Sequence, residues 1–257
     1  MRKSKTMDKL RAGQPVRMCA LGHFIPSYIR HAAHAGFDCI WLDTEHRTFE
    51  RRELQALLAL FHLFDIDCML RVDTKQKTRL YRYLEDGASG LMIPHVSTAE
   101  EAQDLVQAVK FPPLGDRGLD GAGMDTDFVL AGGPGYTDEA NSETFLVVQI
   151  ETPLAVENVE KIASVNGVDG LFVGPGDLGL RLSKMDTEMT VESAIERVAA
   201  VAAEQGVAWG CPAVSRENLE QRYQQGARLL NYGGEFMTLK NMLEANAAEL
   251  DEVYPDN

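Results

Sequence analysis

The sequence has no run of about 18 or more uninterrupted apolar residues, so nothing in it reads as a membrane-spanning helix. Basic residues are in deficit: 25 Lys and Arg stand against 39 Asp and Glu, a net charge of −14. Phosphate backbones are gripped by clustered Lys and Arg, so this deficit argues against nucleic acid as a partner. Cysteine is scarce. The four thiols, Cys19, Cys39, Cys68 and Cys211, form no Cys-x-x-Cys pair and mostly sit inside apolar runs. That argues against disulfides or a zinc site and for a reducing, cytoplasmic setting. The basic N-terminal stretch MRKSKTMDKLRAGQ is not followed by the apolar segment of a secretory signal. Repeats, low-complexity tails and a second-domain boundary are absent too.

What is present alternates. Near-continuous apolar runs fall at 16–22, 39–43, 68–72, 90–96, 145–151, 170–175, 207–213 and 229–234, as expected for parallel strands covered on both faces. Amphipathic stretches lie between them. RRELQALLALFHLF (51–64) lines Leu54, Leu57, Leu58 and Phe61 along one face, and STAEEAQDLVQAVK (97–110) opens on a Ser or Thr cap with acids in the first turn. Eight such alternations predict an α/β chain folded as a single (β/α)8 TIM barrel spanning 1–257, with a doubly wound open sheet as the competitor. The Gly-, Pro- and Asp-rich segment 111–144 breaks the rhythm before the fifth strand. Loops of this length are uncommon without a function, so an active-site or subunit-contact insert is expected.

Barrel chemistry gathers where the strands end. In LVVQIETPLAVENV (146–159) a buried run stops at a carboxylate, Glu151, two residues before a proline. DTEH supplies Asp43, Glu45 and His46; Arg71 interrupts the third run; GPGDL supplies Asp177. Glu151 and Asp177, on neighbouring strands, can share a hard divalent cation, because two carboxylates repel unless a proton or cation lies between them; solvated loop acids are the simpler reading. Arg71 suits an anion clamp or a structural ion pair. His46 reads as a general base or an ordinary loop histidine. Asp86, in YLEDG, reads by itself as a solvated residue before a capping glycine. The amides at Gly176 and Asp177 can bind an anion or simply form a tight turn.

The motifs WLDTEH, LRV, LEDGASGLMIPHV, AVKFPPLGDRG, VVQIETPLAVENV and GVDGLFVGPGDL together resemble the HpcH/HpaI family of metal-dependent (class II) pyruvate aldolases. The resemblance implies a barrel whose last helix packs on a neighbouring subunit, in a hexamer built from trimers. It implies Glu151 and Asp177 as ligands of Mg²⁺, Mn²⁺ or Co²⁺, Arg71 as the enolate-stabilising arginine, and His46 as a catalytic histidine paired with Asp86. It also implies Gln149, Gly176 and Asp177 as holders of the pyruvyl group, and reversible cleavage of 4-hydroxy-2-oxo or 2-keto-3-deoxy acids to pyruvate and an aldehyde. The chain departs from the family at EHRTFE, where the family often has Glu-His-Gly-Pro, after Arg117-Gly118, and at GCPAVS, all at the aldehyde end. Three other readings stay open: a Schiff-base aldolase using Lys75, an acyl-CoA lyase with the same acids, and a non-catalytic 2-oxo-acid-binding barrel.

Overall fold

In the computed structural model, which describes residues 1–254, the eight apolar runs become eight parallel strands that close on themselves. They are β1 (Val16–Leu21), β2 (Cys39–Asp43), β3 (Asp67–Arg71), β4 (Gly90–Ile93), β5 (Phe145–Ile150), β6 (Gly170–Val173), β7 (Ala208–Ala213) and β8 (Leu229–Gly234). Each pairs with its sequence neighbours, and β8 returns to β1 with Val16 beside Leu229. The expected (β/α)8 barrel is what the chain forms, and the open sheet is excluded.

The helices are α1 (Lys5–Arg11), α2 (Pro26–His34), α3 (Arg51–Leu63), α4 (Lys77–Glu85), α5 (Ala99–Val109), α6 (Tyr136–Glu143), α7 (Pro153–Glu157), α8 (Val159–Ala163), α9 (Pro175–Leu182), α10 (Val191–Gln205), α11 (Arg216–Gln224) and α12 (Glu235–Val253). Two packed layers result. Leu54, Leu57, Leu58 and Phe61 of α3, with their counterparts on the other helices, seal the outside of the strands. Val16, Met18, Cys39, Met69, Met92, Phe145, Val147, Phe172 and Leu229 fill the lumen.

The period of two along a strand then fixes what stands at the mouth. Asp43 continues the row of Cys39 and Trp41, Arg71 that of Asp67 and Met69, and Gln149 that of Phe145 and Val147. The lower end is shut by the basic N-terminus, a role its sequence did not suggest. Asp67, fully buried, accepts from Ser4 Oγ at 2.7 Å, the Thr6 amide at 2.7 Å and Arg2 Nη2 at 2.6 Å.

Three local departures have physical causes. The run GLMIPHV leaves the sheet at Ile93, because Pro94 has no N–H to give and His95 adopts a left-handed backbone at φ 55°. TPLAVENVEKIASV bends at Asn158 into two short helices. The 111–144 segment holds α6 and a 3₁₀ turn, Met124–Thr126. It packs beside α4 and the N-terminus, with the buried pair Arg117–Asp125 at 2.7 Å and a Tyr136 hydroxyl on Asp125 tying it together. Among the described residues its hydrogen bonds reach none of the strand-end side chains at the mouth.

Filling of the lumen leaves little slack at Gly90, where an added Cβ would stand 2.1 Å from the Phe145 ring. Gly90→Ala is expected to cost about 1–3 kcal/mol. Gly176→Ala, whose Cβ meets nothing within 4 Å, should change stability by no more than about 0.5 kcal/mol. Thermal melts of the two variants check this; equal midpoints would contradict the packing.

Candidate active site

Five strand ends, β2 to β6, and their loops converge on one acidic mouth. Arg71, 8% exposed, is its fixed point. Its Nε and Nη2 bind Asp43 Oδ1 and Oδ2 at 2.9 and 2.8 Å, its Nη1 lies 3.0 Å from Glu45 Oε2, and its guanidinium stacks 4.6 Å above the Trp41 ring. Both readings of this residue meet here. The pair with Asp43 is a bidentate ion pair, yet only three of the five N–H groups are committed, so two can still reach a ligand. Burial pushes the Asp43 carboxyl up, but the Arg71 hydrogen bonds and charge outweigh it and hold Asp43 below the ordinary carboxylate range.

Glu151, 1% exposed, stands at the end of β5. Its Oε1 accepts from the His95 amide at 2.7 Å and faces His95 Nδ1 at 2.9 Å; its Oε2 accepts from Gln149 Nε2 at 3.2 Å. The imidazole reaches on to Glu45 Oε1 at 3.2 Å. Ligand atoms of Glu45, His95 and Glu151 therefore lie within 4.8 Å of one another. Burial raises the Glu151 pKa, and Glu45 and Asp177 push the same way against His95. Glycine at position 174 is required, since a Cβ there would sit 2.5 Å from Glu151 Oε2.

Asp177 opens α9 and its Oδ1 pairs with Arg181 Nη1 at 2.8 Å; the same nitrogen donates to the Glu151 carbonyl at 3.2 Å. Asp177 thus lies close enough to act electrostatically on Glu151, with its Oδ1 engaged by Arg181. Gln149 is buried, and its Oε1 has no partner among the described residues. Gly176 leaves its backbone open, with nothing within 4 Å of where a Cβ would stand.

The expected pair of His46 and Asp86 is not formed. His46 is exposed, its Nε2 3.5 Å from Glu45 Oε2, while Asp86 accepts from Gln55 Nε2 at 2.9 Å. Both residues line one cavity of about 500 Å³ beside the mouth. His95 was missed in the sequence because its run was read as strand. The Pro-His pair at the end of that run was the signal. Lys75 is partly exposed, bound to the His95 carbonyl at 2.7 Å and to Glu101 at 3.3 Å.

The donor set is mixed carboxylate and imidazole around a buried carboxyl whose pKa burial raises. Such a set suits a divalent cation, which replaces the proton and neutralises the repulsion.

Comparison with known proteins agrees with this geometry. The model of the HpcH/HpaI aldolase/citrate lyase family matches residues 18–242. The chain belongs to that family. It is 35% identical over 196 residues to the 2-dehydro-3,6-dideoxy-6-sulfogluconate aldolase of Pseudomonas putida, covering 74% of this chain and 76% of that one. It is 34% identical to the 4-hydroxy-2-oxovalerate aldolase of Rhodococcus jostii (strain RHA1), over 86% of each. The crystal structure of an HpcH/HpaI aldolase from Desulfitobacterium hafniense DCB-2 superposes with a TM-score of 0.87 at 30% identity, over 95% of this chain and 96% of that one. The motifs read from the sequence thus mark the family correctly.

A proton and a divalent ion compete for Glu151, whose pKa is raised. Binding of Mn²⁺ should therefore weaken as pH falls through the Glu151 titration and should release protons. Calorimetry at acid and neutral pH, in buffers of different ionisation enthalpy, checks the sign. An affinity independent of pH, with no proton release, would contradict it.

Proposed function

We propose that this protein is a carbon–carbon lyase that cleaves 4-hydroxy-2-oxo or 2-keto-3-deoxy acids reversibly into pyruvate and an aldehyde. The observation that carries this reading is the juxtaposition of a partly uncommitted Arg71 with the Glu45–His95–Glu151 cluster at one barrel mouth. Glu151 would hold a divalent ion, with Asp177 after its release from Arg181, and with Glu45 and His95 as further donors. A nitrogen donor inclines the set towards Mn²⁺ or Co²⁺ over Mg²⁺. When bound, the ion supplies Lewis acidity towards the carboxylate and ketone oxygens of a 2-oxo acid.

The chain's own residues do the rest. The amides of Gly176 and Asp177 receive the substrate carboxylate, and Gln149 bounds the pyruvyl group. His46 accepts the 4-hydroxyl proton as C4 becomes the aldehyde carbon. The electron pair of the breaking C3–C4 bond moves towards the ketone oxygen, forming an enolate whose charge the free N–H groups of Arg71 meet. A proton returned to C3 gives pyruvate. Since that charge develops only as the bond breaks, Arg71 favours the transition state over the ground state. His46 is free to turn, being exposed, and Asp86 lines the same cavity, so a pairing of the two on ligand binding stays within this reading.

Among the rivals, the Schiff-base route lacks support, because Lys75 is partly solvated and ion-paired rather than buried. An acyl-CoA substrate finds little support in so acidic a chain, and relatives at 30% identity or more are named as aldolases. Four buried, unpaired thiols support a cytoplasmic setting. No described helix is long and apolar enough to cross a membrane.

We also propose a homo-oligomer, a trimer or hexamer. Along α12 only Glu235 is buried, while Phe236, Met237, Leu239, Met242, Leu243, Leu250 and Val253 face outward. The outer wall of β1 and β8 beside α11 carries an apolar hollow of about 420 Å³. Helix and hollow are complementary in kind. Light scattering should give a multiple of 28.4 kDa, reduced when the chain is cut after Gly234; a monomeric full chain would refute it.

The activity test is a pyruvate-release screen with the ion varied. EDTA should abolish release and Mn²⁺ restore it; EDTA-insensitive release would overturn the reading. Arg71→Ala should lower kcat by about 10²–10³ while still binding Mn²⁺. Undiminished turnover in that variant would remove Arg71 from the chemistry.

A further inference from the structure

The cavity beside His46 has a composition at odds with the rest of the chain. Its wall carries four arginines, Arg47, Arg51, Arg79 and Arg82, in a protein with a net charge of −14. The acids on the same wall are Glu45, Asp73 and Asp86, and each is already engaged. Glu45 lies against Arg71 and His95, Asp73 against Arg79 at 3.2 Å, and Asp86 accepts from Gln55.

Three guanidinium groups are left without a carboxylate among the described residues. Arg47 gives one N–H to the His46 carbonyl at 2.8 Å and stacks 4.6 Å above Phe236. Arg51 and Arg82 make no ion pair among the described residues. A guanidinium stays charged at any working pH, and a concave wall concentrates its field. About 500 Å³ is space for a small-molecule fragment.

The position of the cavity links it to the chemistry. Glu45 borders it and also sends Oε1 to His95 in the cluster at 3.2 Å. His46, which faces the 4-hydroxyl in the scheme above, stands on its rim. A substrate whose 2-oxo acid end lies at the cluster would therefore extend its aldehyde half across His46 towards the arginines. Arg47 belongs to EHRTFE, a stretch where the sequence departs from the family pattern, and Arg51 follows it directly.

We infer that this cavity is the subsite for a terminal anionic group on the aldehyde half, so that the substrate is a hydroxy-oxo acid with a second carboxylate, sulfonate or phosphate. The inference rests on the lyase reading. Bidentate hydrogen bonding from paired guanidinium groups is the recognition expected for such oxygens.

The test uses the full chain with Mn²⁺ and three 4-hydroxy-2-oxo acids of equal length ending in methyl, carboxylate or sulfonate. Pyruvate release should show kcat/KM for at least one anionic substrate about tenfold or more above the methyl one, the scale of one charge-assisted hydrogen bond. Added salt should shrink that preference. In the double variant R51Q/R82Q the ratio should fall below about threefold, mostly through KM, with the methyl substrate changed by no more than about twofold. Equal handling of all three by the wild type, or a preference that survives in the double variant, overturns the subsite and leaves the lyase reading standing. Absence of pyruvate from all three, with Arg71 intact, overturns the lyase reading and the subsite with it.

Discussion

A carboxylate held almost out of water at the end of a strand is the constraint around which the mouth is built. Burial disfavours the charged form of Glu151, and Glu45 and Asp177 add to the cost. The protein meets that cost with what is near: the His95 amide and ring, and the Gln149 amide. His95 can do so only because its backbone turns left-handed after Pro94, a conformation that costs free energy for any residue with a Cβ. Gly174 must be glycine for the same carboxylate to fit. A left-handed histidine, a close-packed glycine and a carboxyl of raised pKa all meet at one buried strand end.

The barrel separates this demand from stability. Its lumen is filled by apolar side chains up to the Trp41 level, and above them Asp43, Arg71 and Gln149 continue the same inward rows. The lower end has its own buried polar group, Asp67, fully answered by the N-terminal segment. Below, Asp67 is matched within the chain, while Arg2 Nε and Thr6 Oγ1 lie buried without a partner among the described residues. Above, among the described residues, Gln149 Oε1 has no partner, Arg71 keeps two N–H groups, and three arginines of the neighbouring cavity meet no carboxylate.

Much of this was legible in the chain. Eight apolar runs fixed the strand count and order, because parallel strands buried on both faces cannot hide their composition. Glu151, Arg71 and Gln149 were found at strand ends because charge and amide stand out inside apolar runs. What depends on three-dimensional direction was not legible. His95 lies one residue past a proline inside an apolar run, and only the turned backbone reveals where its ring goes. Asp177 was read as sharing a cation with Glu151, and the pairing of its Oδ1 with Arg181, one helical turn on, was not foreseen. His46 and Asp86 border one cavity without touching, since Gln55 reaches Asp86. The Gly- and Pro-rich insert gives no direction in its composition, and the N-terminal plug looks like an ordinary basic tail.

The central claim is that Glu151 is built for a cation at the barrel mouth. Anomalous diffraction from crystals soaked with Mn²⁺ and oxalate tests it most directly. The account predicts a manganese peak about 2.0–2.4 Å from a Glu151 carboxylate oxygen, with oxalate on its open side and the His95 contact to that oxygen changed. No peak at the mouth under saturating Mn²⁺, with His95 still bonded to Glu151, would contradict it.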